Sequence, residues 1–275
     1  MKPVICIPSY KRPQGTAIYR LRDIPLSKYL FVRLEEESIY KEVAAENGFR
    51  LVKLNNVHDI GETRAAIMRF CYSKHFEWVF MFDDDIQKVE CLAQKDGKIT
   101  SARILYEPEE KPRFELKALK LWYDTARRYK LSLSSPNHRA YDRFKHGTVQ
   151  INKSAIIQCV LIHTPDLWSV GNYKSLNKVG NEDYYVQYLL MNNGYKTGKI
   201  GSIEYDCPCI GAGSGGNNAE EYKDIKNRYE FYVNNFLNNV CNDPQLVTTK
   251  TTKTGQKSIQ FIWKNWGGSE HKEDL

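Results

Sequence analysis

Three consecutive carboxylates, Asp83, Asp84 and Asp85, close the short apolar run Trp78-Val79-Phe80-Met81-Phe82. Such a run reads as a fully buried strand. Open α/β sheets gather their ligands at the C-terminal ends of the strands. Adjacent carboxylates in that place repel one another unless a cation offsets them, and hard cations such as Mg2+ or Mn2+ take oxygen ligands that they share with substrate phosphates. Asp83 and Asp85 form an Asp-x-Asp pair of this kind. An Asp cluster after a strand also caps a helix or faces water, so both readings stand on these residues alone.

Further candidates flank the triplet. Pro8-Ser9-Tyr10-Lys11-Arg12-Pro13 follows the apolar Val4-Ile5-Cys6-Ile7 and offers a hydroxyl, an aromatic ring and two cations where nucleotides are met in α/β folds; two prolines in a surface turn would look the same. Arg64 lies in the first turn of a helix opened by Gly61, shaped for a diphosphate or for bracing a carboxylate, and equally at home in solvent. Glu182 and Asp183 open a late helix closed by Gly194: first-turn carboxylates complement the helix dipole, or serve as general base toward a hydroxyl, with the dipole favouring the ionised form. Gly215 and Gly216 sit in a glycine cluster that could close over a diphosphate through backbone N–H groups or be flexible linker. His138, Arg139, Arg143 and Lys145, interleaved with Tyr141 and Phe144, combine charge for phosphates with faces for stacking, a composition shared by surface loops.

These residues need elements to hold them. Strand, helix and strand alternate over 28–34, 35–47 and 49–54, which argues a parallel sheet. The helix after Gly61 presents Ile60, Ile67, Met68 and Cys71, and the acidic strand follows it near mid-sheet. Residues 95–113 read as a polar loop or flap and 114–130 as a helix with Leu116, Leu119, Leu121 and Trp122 inward. Strands are expected at 149–151, 155–162 and 199–205, a helix at 220–239, and a terminal hairpin ending in 258–264. No internal repeat or clear domain boundary interrupts the chain.

The 275 residues suffice for an ample core, and 41% hydrophobic with 27% charged residues is ordinary for a globular protein. No apolar stretch is long enough to cross a bilayer, and Pro3 and Pro8 interrupt any signal-peptide core, so a cytoplasmic protein is expected. Seven scattered cysteines suit reduced core thiols better than a disulfide framework. A net charge of +7 permits a polyanionic partner such as DNA without establishing one.

In order, the Ile-Pro-Ser-Tyr-Lys-Arg-Pro loop, Gly61 to Arg64, Asp83-Asp84-Asp85 and Glu182-Asp183 resemble the GT-A superfamily of nucleotide-sugar glycosyltransferases over approximately residues 3–236. More narrowly, Asn181-Glu182-Asp183-Tyr184-Tyr185-Val186, Gly194-Tyr195, Gly215-Gly216 and Phe261-Ile262-Trp263-Lys264 are similar to phage glycosyltransferases associated with base-oxidising (TET/JBP-like) enzymes, which decorate hydroxymethylated pyrimidines such as hydroxymethylcytosine in DNA. The Gly-Gly lacks that subgroup's Cys, and no C-terminal metal-binding His is evident. The resemblance implies a single α/β domain, a GT-A-like mixed and mostly parallel sheet flanked by helices, over residues 1–240, with a donor half about 1–90, an acceptor half about 91–240, and a C-terminal hairpin and tail at 241–275 packed on it. It implies that Asp83 and Asp85 hold Mn2+ or Mg2+, with Asp83 also facing the donor ribose beside Asp84. Pro8, Ser9, Tyr10, Arg12, Arg64, Gly215 and Gly216 would meet a nucleotide-sugar donor, most simply a UDP-sugar. Asp183, with Glu182 as neighbour or substitute, would deprotonate the acceptor hydroxyl, while His138, Arg139, Arg143 and Lys145 would meet the acceptor, DNA foremost. Inversion at the anomeric carbon is the expected outcome. A glycan, lipid or protein acceptor, or a basic nucleic-acid-binding module without catalysis, are the competing expectations.

Overall fold

The computed structural model describes residues 2–96, 98–102, 114–139, 146–171, 182–208, 225–251 and 257–273. Its centre is a sheet in the order β13-β8-β10-β7-β9-β4-β1-β2-β3, with β5 and β6 attached to β10. Four parallel strands form one half: β3 (Arg50–Leu54), β2 (Lys28–Arg33), β1 (Val4–Pro8) and β4 (Trp78–Phe82). The other half holds β9 (Cys159–His163), β7 (Leu131–His138), β10 (Lys196–Asp206), β8 (Thr148–Ile151) and β13 (Ser269–Lys272). There β9 is antiparallel to both β4 and β7, so β7 and its parallel neighbour β10 run in the same sense as β4. The result is the expected mixed α/β sheet with most strands running one way.

Helices cover both faces, and strand alternation divides the core accordingly. Cys6, Val79 and Met81 face α3 (Ile60–Ser73), α5 (Thr164–Ser169), α6 (Glu182–Asn192) and α7 (Ile225–Asn239). Ile5, Ile7, Phe80 and Phe82 face α1 (Thr16–Arg20), α2 (Glu37–Glu46) and α4 (Phe114–Tyr129), where Trp122 packs edge-on against Phe80 with ring centroids 5.1 Å apart.

Several expectations need correction. Residues 95–113 do not begin as a loop: β5 (Lys88–Lys95) and β6 (Lys98–Ser101) form a hairpin, and residues 103–113 lie outside the described part. Strand β7 continues through Pro136 to His138. Proline lacks the N–H a central ladder needs, but a register shift in β10 between Ile200 and Glu204 falls opposite Pro136 and Asn137 and accommodates it. Strand β9 is shorter than expected, and α5, with proline in its first turn, follows it directly. The terminal hairpin exists as β11 (Val247–Thr251) and β12 (Lys257–Phe261), packed through Val247, Ile259 and Phe261 on the α6 side. The tail then returns to the main sheet as β13, an element the sequence did not announce.

Candidate active site

The alternation of β4 sends its three terminal carboxylates apart. Asp83, in phase with Val79 and Met81, turns to the α3–α6 face; Asp84, in phase with Phe80 and Phe82, turns to the α2–α4 face. Asp84 is 5% exposed. It accepts from Ser9 Oγ at 2.6 Å and from Arg12 Nη1 at 3.1 Å, and burial pushes its carboxyl up to about 6 against the pull of Ser9 and Arg12. Asp84 thereby ties the loop after β1 to the loop after β4. Gly15 confirms how close the two loops run, since a Cβ there would stand 2.8 Å from the Asp84 carbonyl oxygen. Asp85 is the outermost of the three, its side chain 34% exposed and paired with Arg12 at 2.9 Å.

On the opposite face one guanidinium gathers three carboxylates. Helix α3 is set by a reciprocal cap: Asp59 accepts from the Glu62 N–H at 2.7 Å, and Glu62 accepts from the His58 N–H at 2.5 Å. This orients the first turn so that Gly61, Arg64 and Ala65 are buried. Arg64 donates from Nη2 to Asp83 at 2.7 Å, and from Nη1 to Glu182 at 2.8 Å and to Asp183. Burial opposes the charge on Arg64, but Asp183, Asp83 and Glu182 together raise its affinity for the proton. Its Nε finds no acceptor among the described residues, and a cavity of about 30 Å3, lined by Arg64, Glu182 and Asp183 together with apolar groups such as Met68, Met81, Leu133 and Ile156, lies alongside. Of the two uses the sequence left open for Arg64, the structure shows the bracing of carboxylates.

Glu182 and Asp183 stand in the first turn of α6. The helix dipole was expected to favour their ionised forms; burial outweighs it. Desolvation pushes Glu182 up to about 7 against the attraction of Arg64, with the charge of Asp183 adding to the rise. Asp183 is raised by the same desolvation, opposed by Arg64 and by the Gln158 N–H, which donates to Asp183 Oδ2 at 3.3 Å. Gln158 was not anticipated, and no pattern around it marks it.

Around the loop after β1, Tyr40 accepts from the Arg12 N–H at 2.8 Å and shares a hydrogen bond with Ser9 at 2.8 Å, while Glu36 accepts from the Lys11 N–H at 2.8 Å. Pro8 and Ser9 are buried. Tyr10 is half-buried, with the Arg33 guanidinium 3.6 Å from its ring centroid. Glu36, Tyr40 and Arg33 were missed. Tyr40 was legible as an inward position of an amphipathic helix, and Glu36 and Arg33 only once the β2 end is known to lie beside the loop.

The expected acceptor surface divides. His138 is buried, with Nε2 3.2 Å from Cys207 Sγ and its ring edge-on to Tyr205 at 4.9 Å. Arg139 is exposed and pairs with Asp206 at 2.9 Å. Arg143, Lys145, Gly215 and Gly216 lie outside the described residues.

For a cation, the donor set is mixed. Among the described residues no three His, Cys, Asp or Glu side chains converge as a metal-binding group. Asp83 and Asp85 nonetheless remain partly exposed, and the charge of Asp83, after burial, pushes Asp85 up. Five carboxylates of the two clusters face two guanidinium groups. Asp83 and Asp85 are the oxygen donors at the exposed edge, the ligand type that hard divalent cations take.

No protein-family model matches the chain, and no curated protein matches it. Among solved structures it is similar to 4-diphosphocytidyl-2C-methyl-D-erythritol synthase from Anaerococcus prevotii DSM 20548, at 10% identity over 83% of this chain and 95% of that one, TM-score 0.45. It is also similar to GalNAc-T7 crystallised with UDP, GalNAc and Mn2+, at 10% identity over 86% of this chain and 50% of that one, TM-score 0.45. A third, the inositol-1-phosphate CTP transferase from T. maritima, aligns at 9% identity over 76% of this chain and 89% of that one, TM-score 0.40. Likenesses this distant carry no argument about chemistry and leave the function to be read from the site itself.

Proposed function

We propose that the protein is a divalent-metal-dependent glycosyltransferase that moves a sugar from a nucleotide-diphosphate sugar, a UDP-sugar in the first instance, to an acceptor hydroxyl. The observation that carries this reading is the meeting of Asp83 at the end of β4 with Glu182 and Asp183 at the start of α6 on the single guanidinium of Arg64. Group transfer from a diphosphate needs a charge-offsetting centre and a base within one site, and these two acidic elements supply the parts.

Asp83 and Asp85 would hold Mn2+ or Mg2+, which supplies charge neutralisation for the departing diphosphate. Asp183 takes the proton of the acceptor hydroxyl. Arg64 and the Gln158 N–H hold its carboxylate in place. Glu182, pushed up to about 7, is poised to accept and release a proton near neutral pH. Tyr10, backed by Arg33, offers a face to the nucleobase, and attack by the activated hydroxyl opposite the leaving diphosphate inverts the anomeric carbon.

For the acceptor, the net charge of +7 and exposed Arg139 favour a polyanion, and hydroxymethylated pyrimidines in DNA combine that with the required hydroxyl. The test is transfer of labelled sugar from UDP-sugars to hydroxymethylcytosine-containing DNA, with Mn2+ and with chelator. Transfer that chelator abolishes and that falls at least about 100-fold in Asp183→Asn, the low end for losing a general base, is expected. Transfer to glycan, lipid or protein acceptors instead of DNA overturns the acceptor class, and undiminished transfer in Asp183→Asn overturns the role of the base.

A further inference from the structure

Among the described residues, the backbone at Gln158 is an outlier that touches both Asp83 at the end of β4 and Asp183 at the start of α6. Its φ is +63°, in the region that non-glycine residues seldom occupy. The Cys159 N–H donates to the Ile157 carbonyl at 2.7 Å across it, closing a three-residue turn of the rare γ type around Gln158. A conformation of this kind costs free energy and persists only where surrounding structure over-determines it.

What over-determines it is visible. The Gln158 carbonyl accepts from the Asp83 N–H at 3.3 Å, extending the β4–β9 ladder by one rung beyond Phe82 and Cys159. The Gln158 N–H, turned away by the positive φ, donates to Asp183 Oδ2 at 3.3 Å. Its side-chain Oε1 accepts from Tyr205 Oη at 3.2 Å and from Cys207 Sγ at 3.3 Å, which anchors the turn to the end of β10. In ordinary extended backbone, successive N–H and C=O groups alternate along a ladder, and one residue would not aim its carbonyl at β4 and its N–H at α6 in this way.

We propose that Gln158 is a positioning residue for the reaction assigned to this site: its strained turn fixes the separation of Asp83, on the donor side, from Asp183, on the acceptor side. The inference rests on the transferase reading for its catalytic meaning, whereas the mechanical link itself does not. Because backbone groups make both contacts, conformation at position 158 matters more than its side chain. Glycine adopts positive φ freely and a β-branched residue does not.

The experiment compares Gln158→Gly, Gln158→Asn and Gln158→Val in the full chain by amide hydrogen exchange resolved at single residues. In Gln158→Val, exchange of the Asp83 and residue-158 amides is expected to rise at least tenfold while amides of β1 and β2 keep their wild-type rates. In Gln158→Gly and Gln158→Asn both amides should stay within about threefold of wild type. Wild-type protection of both amides in the valine variant, or a uniform loss across all strands, overturns the proposal; should that variant not fold, loss of protection at Asp83 in the glycine variant overturns it equally. Sugar transfer should follow the same order, lost in Val and retained in Gly. If the exchange pattern appears in a protein that transfers no sugar, the link stands and the transferase reading falls.

Discussion

Arg64 stands between Asp83, Glu182 and Asp183 with its side chain only 9% exposed, and its burial is tolerable because three carboxylates surround it. The sequence supplied the residue types and their order, and it left the contacts open. Strand alternation was legible: Asp84 lies in phase with Phe80 and Phe82, and that parity alone places it opposite Asp83, a signal that the Asp-x-Asp pattern obscured. Gln158 was not legible, because a positive φ in a glutamine leaves no trace in composition or periodicity. The titration of Glu182 gives a prediction at this scale. Its folded affinity for the proton, about 7, lies above the ordinary value of 4.5. The folded state therefore binds that proton more tightly, and the stability it contributes is complete below pH 4.5 and lost as pH rises through 7. Glu182→Gln removes this loss, so chemical denaturation should show the variant gaining on wild type by about 1–3 kcal/mol between pH 5 and pH 8. A difference independent of pH would mean that Glu182 does not carry the shift.

The elements that deliver these residues differ in how plainly they were written. Helix α3 was clear from its periodic apolar residues, and the Asp59 cap with Glu62 three residues on adds an unambiguous start. Helix α4 was equally plain. Strands β5 and β6 were not, since the polar run from Lys95 hides the second arm of a hairpin that gains its order from the pairing of β5 with β10. Strand β7 was not written plainly either: it runs through Pro136, and the register shift in its neighbour β10 makes room for that proline. At this scale the cap of α3 is the part most open to test. Asp59→Ala should cost about 1 kcal/mol of stability. By loosening the turn that carries Arg64, it should also weaken metal-dependent nucleotide binding more than a solvent-exposed control such as Glu46→Ala, measured by calorimetry. Equal effects of the two variants would separate the cap from the site.

In the whole molecule, the parallel pairing of β1 and β4 sets their ends side by side, so that residues 9–12 meet Asp84 and Asp85, while Arg64 joins Asp83 to the start of α6. No described helix is long and apolar enough to cross a membrane. The central claim is that the exposed edge of this acidic site holds a divalent cation together with a nucleoside diphosphate. Its most direct test is calorimetric titration of UDP into the protein with and without Mn2+, repeated on Asp85→Asn. Binding that requires Mn2+ and weakens at least tenfold in the variant is the predicted result, corresponding to about 1.4 kcal/mol or more. UDP binding that is unchanged by removing Mn2+ and unchanged in Asp85→Asn would contradict it.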